Sequence, residues 1–158
     1  MVNQTNNFFQ EEAAMSKISV VYWSQTGNTE AMAEAVGAGI AKAGKEADVV
    51  EVSSASMEDL KAAKVFALGC PAMGAEVLEE MEMEPFVEEV EGFAQGKTIA
   101  LFGSYGWGGG EWMRDWESRA VSDGAAVLSG EGIIADNAPD DDVLAECRAA
   151  GAKLAALV

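Results

Sequence analysis

The chain has 158 residues, 49% of them hydrophobic, with 17 Gly and a formal net charge of −17. Those values predict one globular domain around a single core and exclude a disordered chain. The charge excludes non-specific binding to nucleic acid or acidic membranes and points to partners with basic surfaces, and the lack of His removes the commonest acid–base catalyst and metal ligand.

Residues 1–14 are polar and rich in Asn, Gln and Glu. They carry no basic stretch followed by an apolar one, so they do not read as a secretory signal. Residues 1–15 are expected to form a disordered extension, with the folded domain over 16–158. Met15-Ser16-Lys17 reads as an alternative start.

An apolar run at residues 18–23 predicts the first strand. A polar turn follows, Ser24-Gln25-Thr26-Gly27-Asn28-Thr29, and then a helical pattern over residues 30–43. A turn between a buried strand and a helix N-terminus is a ready phosphate site. This one has hydroxyls and no Lys or Arg, and it lacks the glycine and lysine spacing of nucleotide loops. It reads equally as an ordinary capped turn, since Thr and Asn are common caps.

Further strands are expected at residues 47–52, 64–69, 98–103 and 127–134, separated by helices. Met32, Ala33, Val36 and Ile40 share one face of the first helix. Gly37 and Gly39 inside it suggest close packing on the sheet. Val143, Cys147, Ala150, Leu154 and Leu157 share a face of the last helix, and Asp140 is its expected N-cap. The alternation predicts a three-layer α/β domain around a doubly wound, five-stranded parallel sheet.

Ligands of such sheets bind at the carboxyl ends of the strands. Besides the first turn, two loops lie there: Pro71-Ala72-Met73-Gly74-Ala75-Glu76 and Ser104-Tyr105-Gly106-Trp107-Gly108. Each sets a large polarizable or aromatic group among small residues. Together they suit a flat aromatic ligand; taken singly, each reads as a turn covering the sheet end. Residues 76–91 hold eight Glu and no basic residue. That run reads either as a solvated face or as a steering surface, with Glu79, Glu80 and Glu82 exposed. Cys70 and Cys147 form no disulfide or metal motif; they read as core thiols in a reducing cytoplasm. No apolar run reaches membrane-spanning length.

The stretches Tyr22-Trp-Ser-Gln-Thr-Gly-Asn-Thr-Glu30, Leu68-Gly-Cys-Pro-Ala-Met-Gly-Ala-Glu76 and Leu101-Phe-Gly-Ser-Tyr-Gly-Trp-Gly-Gly-Gly110 resemble the three flavin-binding loops of flavodoxins. The likeness is to the short-chain, clostridial-type branch and runs from about Lys17 to the C-terminus. It implies a sheet of order 2-1-3-4-5. It also implies a non-covalently bound FMN that shuttles single electrons between semiquinone and hydroquinone at low potential, in an electron-transfer protein rather than an enzyme. Ser24 through Thr29, with Gln25 and Gly27 among them, would wrap the phosphate, and Ser24, Thr26 and Thr29 would donate through hydroxyls. Met73 would lie on the inner ring face and Trp107 on the outer. Glu76 would accept from the ring N3–H, and the Met73–Gly74 peptide would turn its carbonyl to N5. Pro71, Ala72, Ala75, Ser104, Tyr105, Gly106 and Gly108 would complete the site, with Trp23 and Trp112 behind it. The branch often has Asp where this chain has Ala75 and Gly109, and a small polar residue at Pro71.

The implied partners are basic-surfaced redox proteins, reductases or oxidoreductases with iron–sulfur or flavin centres, met by a cytoplasmic monomer. An FMN-dependent quinone or azo reductase of the same fold is the alternative. It would need a substrate pocket over the flavin. A signalling receiver domain would need an Asp where this chain has Gly69-Cys70-Pro71.

Overall fold

The computed structural model describes residues 17–158; the extension expected over residues 1–15 lies outside them. In chain order the elements are β1 (Lys17–Tyr22), α1 (Asn28–Lys42), β2 (Glu46–Glu51), α2 (Met57–Ala62), β3 (Val65–Gly69), α3 (Met83–Glu91), β4 (Thr98–Tyr105), α4 (Glu111–Ser122), β5 (Ala126–Val127), β6 (Ile133–Asp136) and α5 (Asp141–Ala156).

Every strand pairing is parallel, in the order β2-β1-β3-β4-β5, with β6 also on β4. Alternate side chains of one strand feed opposite cores. Val21, Phe66, Leu68, Ile99 and Leu101 pack with α3 and α4. Val20, Val65, Ala67, Ala100 and Phe102 pack with α1 and α5. The result is the expected three-layer sandwich, with strands apolar on both faces.

Three local expectations need correction. Residues 127–134 are not one strand. A 3-10 turn at Leu128–Gly130 divides β5 from β6, with Ser129 at φ 62. The polar Ser129-Gly-Glu-Gly132 stretch interrupts the apolar run, and Glu117 Oε2 takes the Gly132 N–H at 2.6 Å. Gly37 does pack on the sheet, against Val49 of β2, but Gly39 faces the Arg148 backbone of α5. Gly151 in turn faces the Val36 carbonyl, so paired glycines let α1 and α5 come close. Leu157 stands 51% exposed, because α5 ends at Ala156 and the chain leaves the core there. Asp140 caps α5 as expected, its Oδ1 accepting the Val143 N–H at 2.9 Å.

Candidate functional site

Parallel strands bring the loops after β1, β3 and β4 to one rim. The strand order reverses beside β1, which opens a crevice there.

The loop after β1 is shaped by Ser24. Its Oγ accepts from Gly27 N at 3.2 Å and Glu30 N at 3.3 Å. Gly27 precedes α1 with φ 92, a left-handed conformation that a β-carbon would strain. The first N–H groups of a helix have no intrahelical partner, so those of Asn28 and Thr29 are available at the positive end of the α1 dipole. Gln25 and Thr26 are exposed. Thr29 is only 1% exposed, and its Oγ1 lies 3.2 Å from Ser104 Oγ. Thr29 Oγ1 also accepts from Ser104 N at 3.4 Å, so its hydroxyl is drawn to β4, in a pair where either oxygen can donate. Tyr22 donates its hydroxyl to Glu30 Oε2 at 2.8 Å. Burial, then that bond, push its pKa up to about 12.

The loop after β3 is tied down on both sides. Cys70 N and Ala72 N donate to Phe102 O and Ser104 O at 3.1 and 3.0 Å. Met73 and Val77 exchange two backbone bonds, Met73 N to Val77 O at 2.8 Å and Val77 N to Met73 O at 2.9 Å. The peptide expected to turn, Met73–Gly74, is thus held by its carbonyl. The Gly74 carbonyl accepts only from Trp107 Nε1, at 3.3 Å, among the described residues. Gly74 has φ 50. Of the two carbonyls, that of Met73 has a backbone partner and that of Gly74 has none among the described residues.

The third loop closes onto the second. Glu76 Oε1 accepts from Glu111 N at 3.1 Å. A β-carbon at Gly108 would meet the end of the flexible Glu76 side chain, and φ 78 puts the residue in the left-handed region that favours glycine. Trp112 is buried, donates from Nε1 to Cys70 O at 3.0 Å and packs 5.5 Å from the Tyr105 ring. Trp23 also packs behind the loops. Trp107 is 54% exposed and Met73 half-buried. Pro71, Ala75 and Gly106 complete the same loops.

The site therefore offers free N–H groups and hydroxyls at one end. At the other it offers two soft, broad side chains over glycine-lined backbone. That donor set fits the phosphate and the flat ring of FMN.

Sequence reasoning missed three supports. Arg114 braces the third loop, with Nη2 donating to Gly109 O at 2.7 Å and Glu111 Oε1 at 2.8 Å. Arg119 of α4 grips Glu84 through both guanidinium NH2 groups, at 2.8 and 2.7 Å, and Glu91 at 2.8 Å. Glu79, expected to be exposed, is 7% exposed and accepts from the backbone of Met81, Glu82 and Met83. Nothing in a run of Glu distinguishes the buried one from its neighbours. The Glu at i and Arg at i+35 that pair across helices leave no local signal either. The thiols of Cys70 and Cys147 are each pushed up to about 12 by burial, so neither is a nucleophile.

The Flavodoxin family model matches residues 20–151. The flavodoxin of Clostridium beijerinckii is 48% identical over 124 residues, which span 78% of this chain and 89% of the relative. The flavodoxin of Megasphaera elsdenii is 44% identical over 135 residues, 84% of this chain and 98% of the relative. The solution structure of two-electron reduced Megasphaera elsdenii flavodoxin superposes with a TM-score of 0.80 at 41% identity, covering 88% of this chain and 98% of that one.

Proposed function

The chain belongs to the flavodoxin family, and from that premise we infer that it carries single electrons between other redox proteins on a non-covalently bound FMN. One observation carries the reading to this chain's own residues. The helix N-terminus after β1 and the Trp107–Gly74 contact lie on one rim, at the point where the strand order reverses.

The bound flavin supplies the redox chemistry, taking up and releasing electrons one at a time. The rest belongs to the protein. The α1 N-terminus and the hydroxyls of Ser24 and Thr26 hold the phosphate, and the backbone N–H of Thr29 joins them. Met73 and Trp107 cover the ring and exclude water. Glu76 accepts from the ring N3–H. Gly74 presents a carbonyl that could turn to accept a hydrogen bond from a flavin N5–H, at little conformational cost. The apolar cover and the neighbouring carboxylate would disfavour added negative charge on a bound flavin, and so would lower the potential of its second reduction. No side chain acts as acid, base or nucleophile, and no feature favours the quinone or azo reductase alternative.

The partners are basic-surfaced reductases or oxidoreductases with iron–sulfur or flavin centres. The protein works as a monomer, since a net charge of −17 repels copies of itself. No helix among the described residues is long and apolar enough to cross a membrane. Visible absorption of the purified protein, followed by titration with FMN and riboflavin, tests the reading. A yellow protein that binds FMN far more tightly than riboflavin is expected. A colourless protein that refuses added FMN overturns it.

A further inference from the structure

On the β2 side of the same rim, an open groove of about 460 Å³ runs between the turn after β2 and the start of α3. Val52, Met57, Pro85 and Phe86 give it apolar surface, and Glu82 and Glu89 line it as well. None of the described residues lining it is basic.

Met81, one residue before Glu82, is 84% exposed, the most exposed large apolar residue among those described. Its backbone is not loose. Met81 N donates to Glu79 Oε1 at 2.7 Å, and Glu82 N to Glu79 Oε2 at 2.7 Å. Glu79 N in turn meets Cys70 Sγ at 3.4 Å, which ties this turn to the loop after β3. The backbone under this exposed methionine is already ordered, so binding costs chiefly the rotamer freedom of its side chain. Glu80, Glu82, Glu88 and Glu89 around it are exposed, whereas Glu79, Glu84 and Glu91 are engaged within the protein.

We propose that Met81 is the apolar anchor of a docking surface formed by this turn and the groove beside it. The occupant is a redox protein with an apolar recess ringed by Lys or Arg. This rests on the carrier reading above. A second copy of this chain does not fit, because its own matching surface is equally acidic and repels. The labour divides by physics. The exposed carboxylates steer the encounter and lose force as salt screens them over about 8 Å at physiological ionic strength. Met81 acts after contact, on dissociation, and is insensitive to salt.

The test uses the FMN-loaded protein, reduced beforehand with dithionite and freed of excess reductant, and a basic ferric c-type cytochrome as the probe acceptor. Affinity and stopped-flow electron transfer are measured across a salt series for wild type, Met81→Ser and the double variant Glu80→Gln with Glu82→Gln. Met81→Ser should bind about tenfold more weakly at every salt, with the salt slope unchanged. The double variant should flatten the slope and converge with wild type at high salt. FMN affinity should stay unchanged in each, since neither change touches the flavin loops, and Met81→Ser, which alters no charge, should also leave both one-electron potentials unchanged. A Met81→Ser protein with wild-type affinity overturns the proposal. So does a Met81 effect confined to self-association in sedimentation. Both failures leave a yellow, FMN-loaded carrier, whereas a protein that takes no FMN refutes the carrier reading itself.

Discussion

Glu79 Oε2 accepts from the backbone N–H of Met83 at 2.9 Å, and so a buried acid caps the start of α3. Burial works against its charge, yet the N–H groups of Met83, Glu82 and Met81 outweigh it and hold the carboxyl below the usual carboxylate range. The consequence reaches the flavin rim, because the same residue bonds Cys70 through its backbone.

Glu79→Ala should therefore destabilise the fold by about 1–3 kcal/mol, the cost of a lost cap and stranded N–H groups. The sign with pH follows from a depressed pKa. The stabilisation is present above the unfolded value and is lost as pH falls through the folded one. Urea unfolding at pH 7 and at acid pH checks both. An equal deficit at the two pH values would show that the charge plays no part.

Thr26 stands exposed at the tip of the first loop, free of the β4 bond that holds Thr29. Thr26→Ala should weaken FMN binding by about 1–3 kcal/mol, the cost of a charged acceptor left short of a donor. Riboflavin, which lacks the phosphate, should bind the variant and wild type alike. Fluorescence-quenching titrations with both ligands decide; equal losses for the two would remove Thr26 from the phosphate site.

Gly74 combines φ 50 with a carbonyl held only by Trp107 among the described residues. Gly74→Val places a β-branched side chain where left-handed backbone is strained and stiffens the peptide that must turn. The gap between the two one-electron potentials should narrow, because the state that uses the turned carbonyl loses its acceptor. Potentiometric titration measures it. An unchanged gap means that the carbonyl is not used.

Asp123 sits beside Glu91 and Arg119. Burial, then the hydrogen bond and charge of Glu91, push it up to about 6, against the pull of Arg119. An aspartate whose folded pKa lies above its unfolded value of about 4 favours folding at low pH and loses that contribution as pH rises toward the folded pKa. Asp123→Asn should thus raise Tm at pH 7.5, and the gain should shrink markedly at pH 5. The same gain at both values would mean that ionisation of Asp123 is irrelevant to stability.

Much of this was legible in the chain. Consecutive apolar residues at 20–23 and 65–68 mark strands covered on both faces, and Asp140 announces its helix, because a strand's period and a helix cap are local properties. The three loops were readable for the same reason: Ser24 to Thr29, Met73-Gly74 and Trp107-Gly108 are short and contiguous. What only the tertiary structure decided depends on partners distant in the chain. Gly39 faces Arg148, Thr29 turns inward because Ser104 is there, and Val77 holds the Met73 carbonyl whereas only Trp107, among the described residues, meets that of Gly74. The acid run shows the difference most sharply. From residue 76 to 91 every Glu has the same chemistry, yet burial over α3 makes Glu79 a cap, Arg119 takes Glu84 and Glu91, Glu76 takes the Glu111 N–H, and Glu80, Glu82, Glu88 and Glu89 face water. Charge is written in the sequence; whether a charge is spent inside the fold or offered to a partner is set by what packs against it.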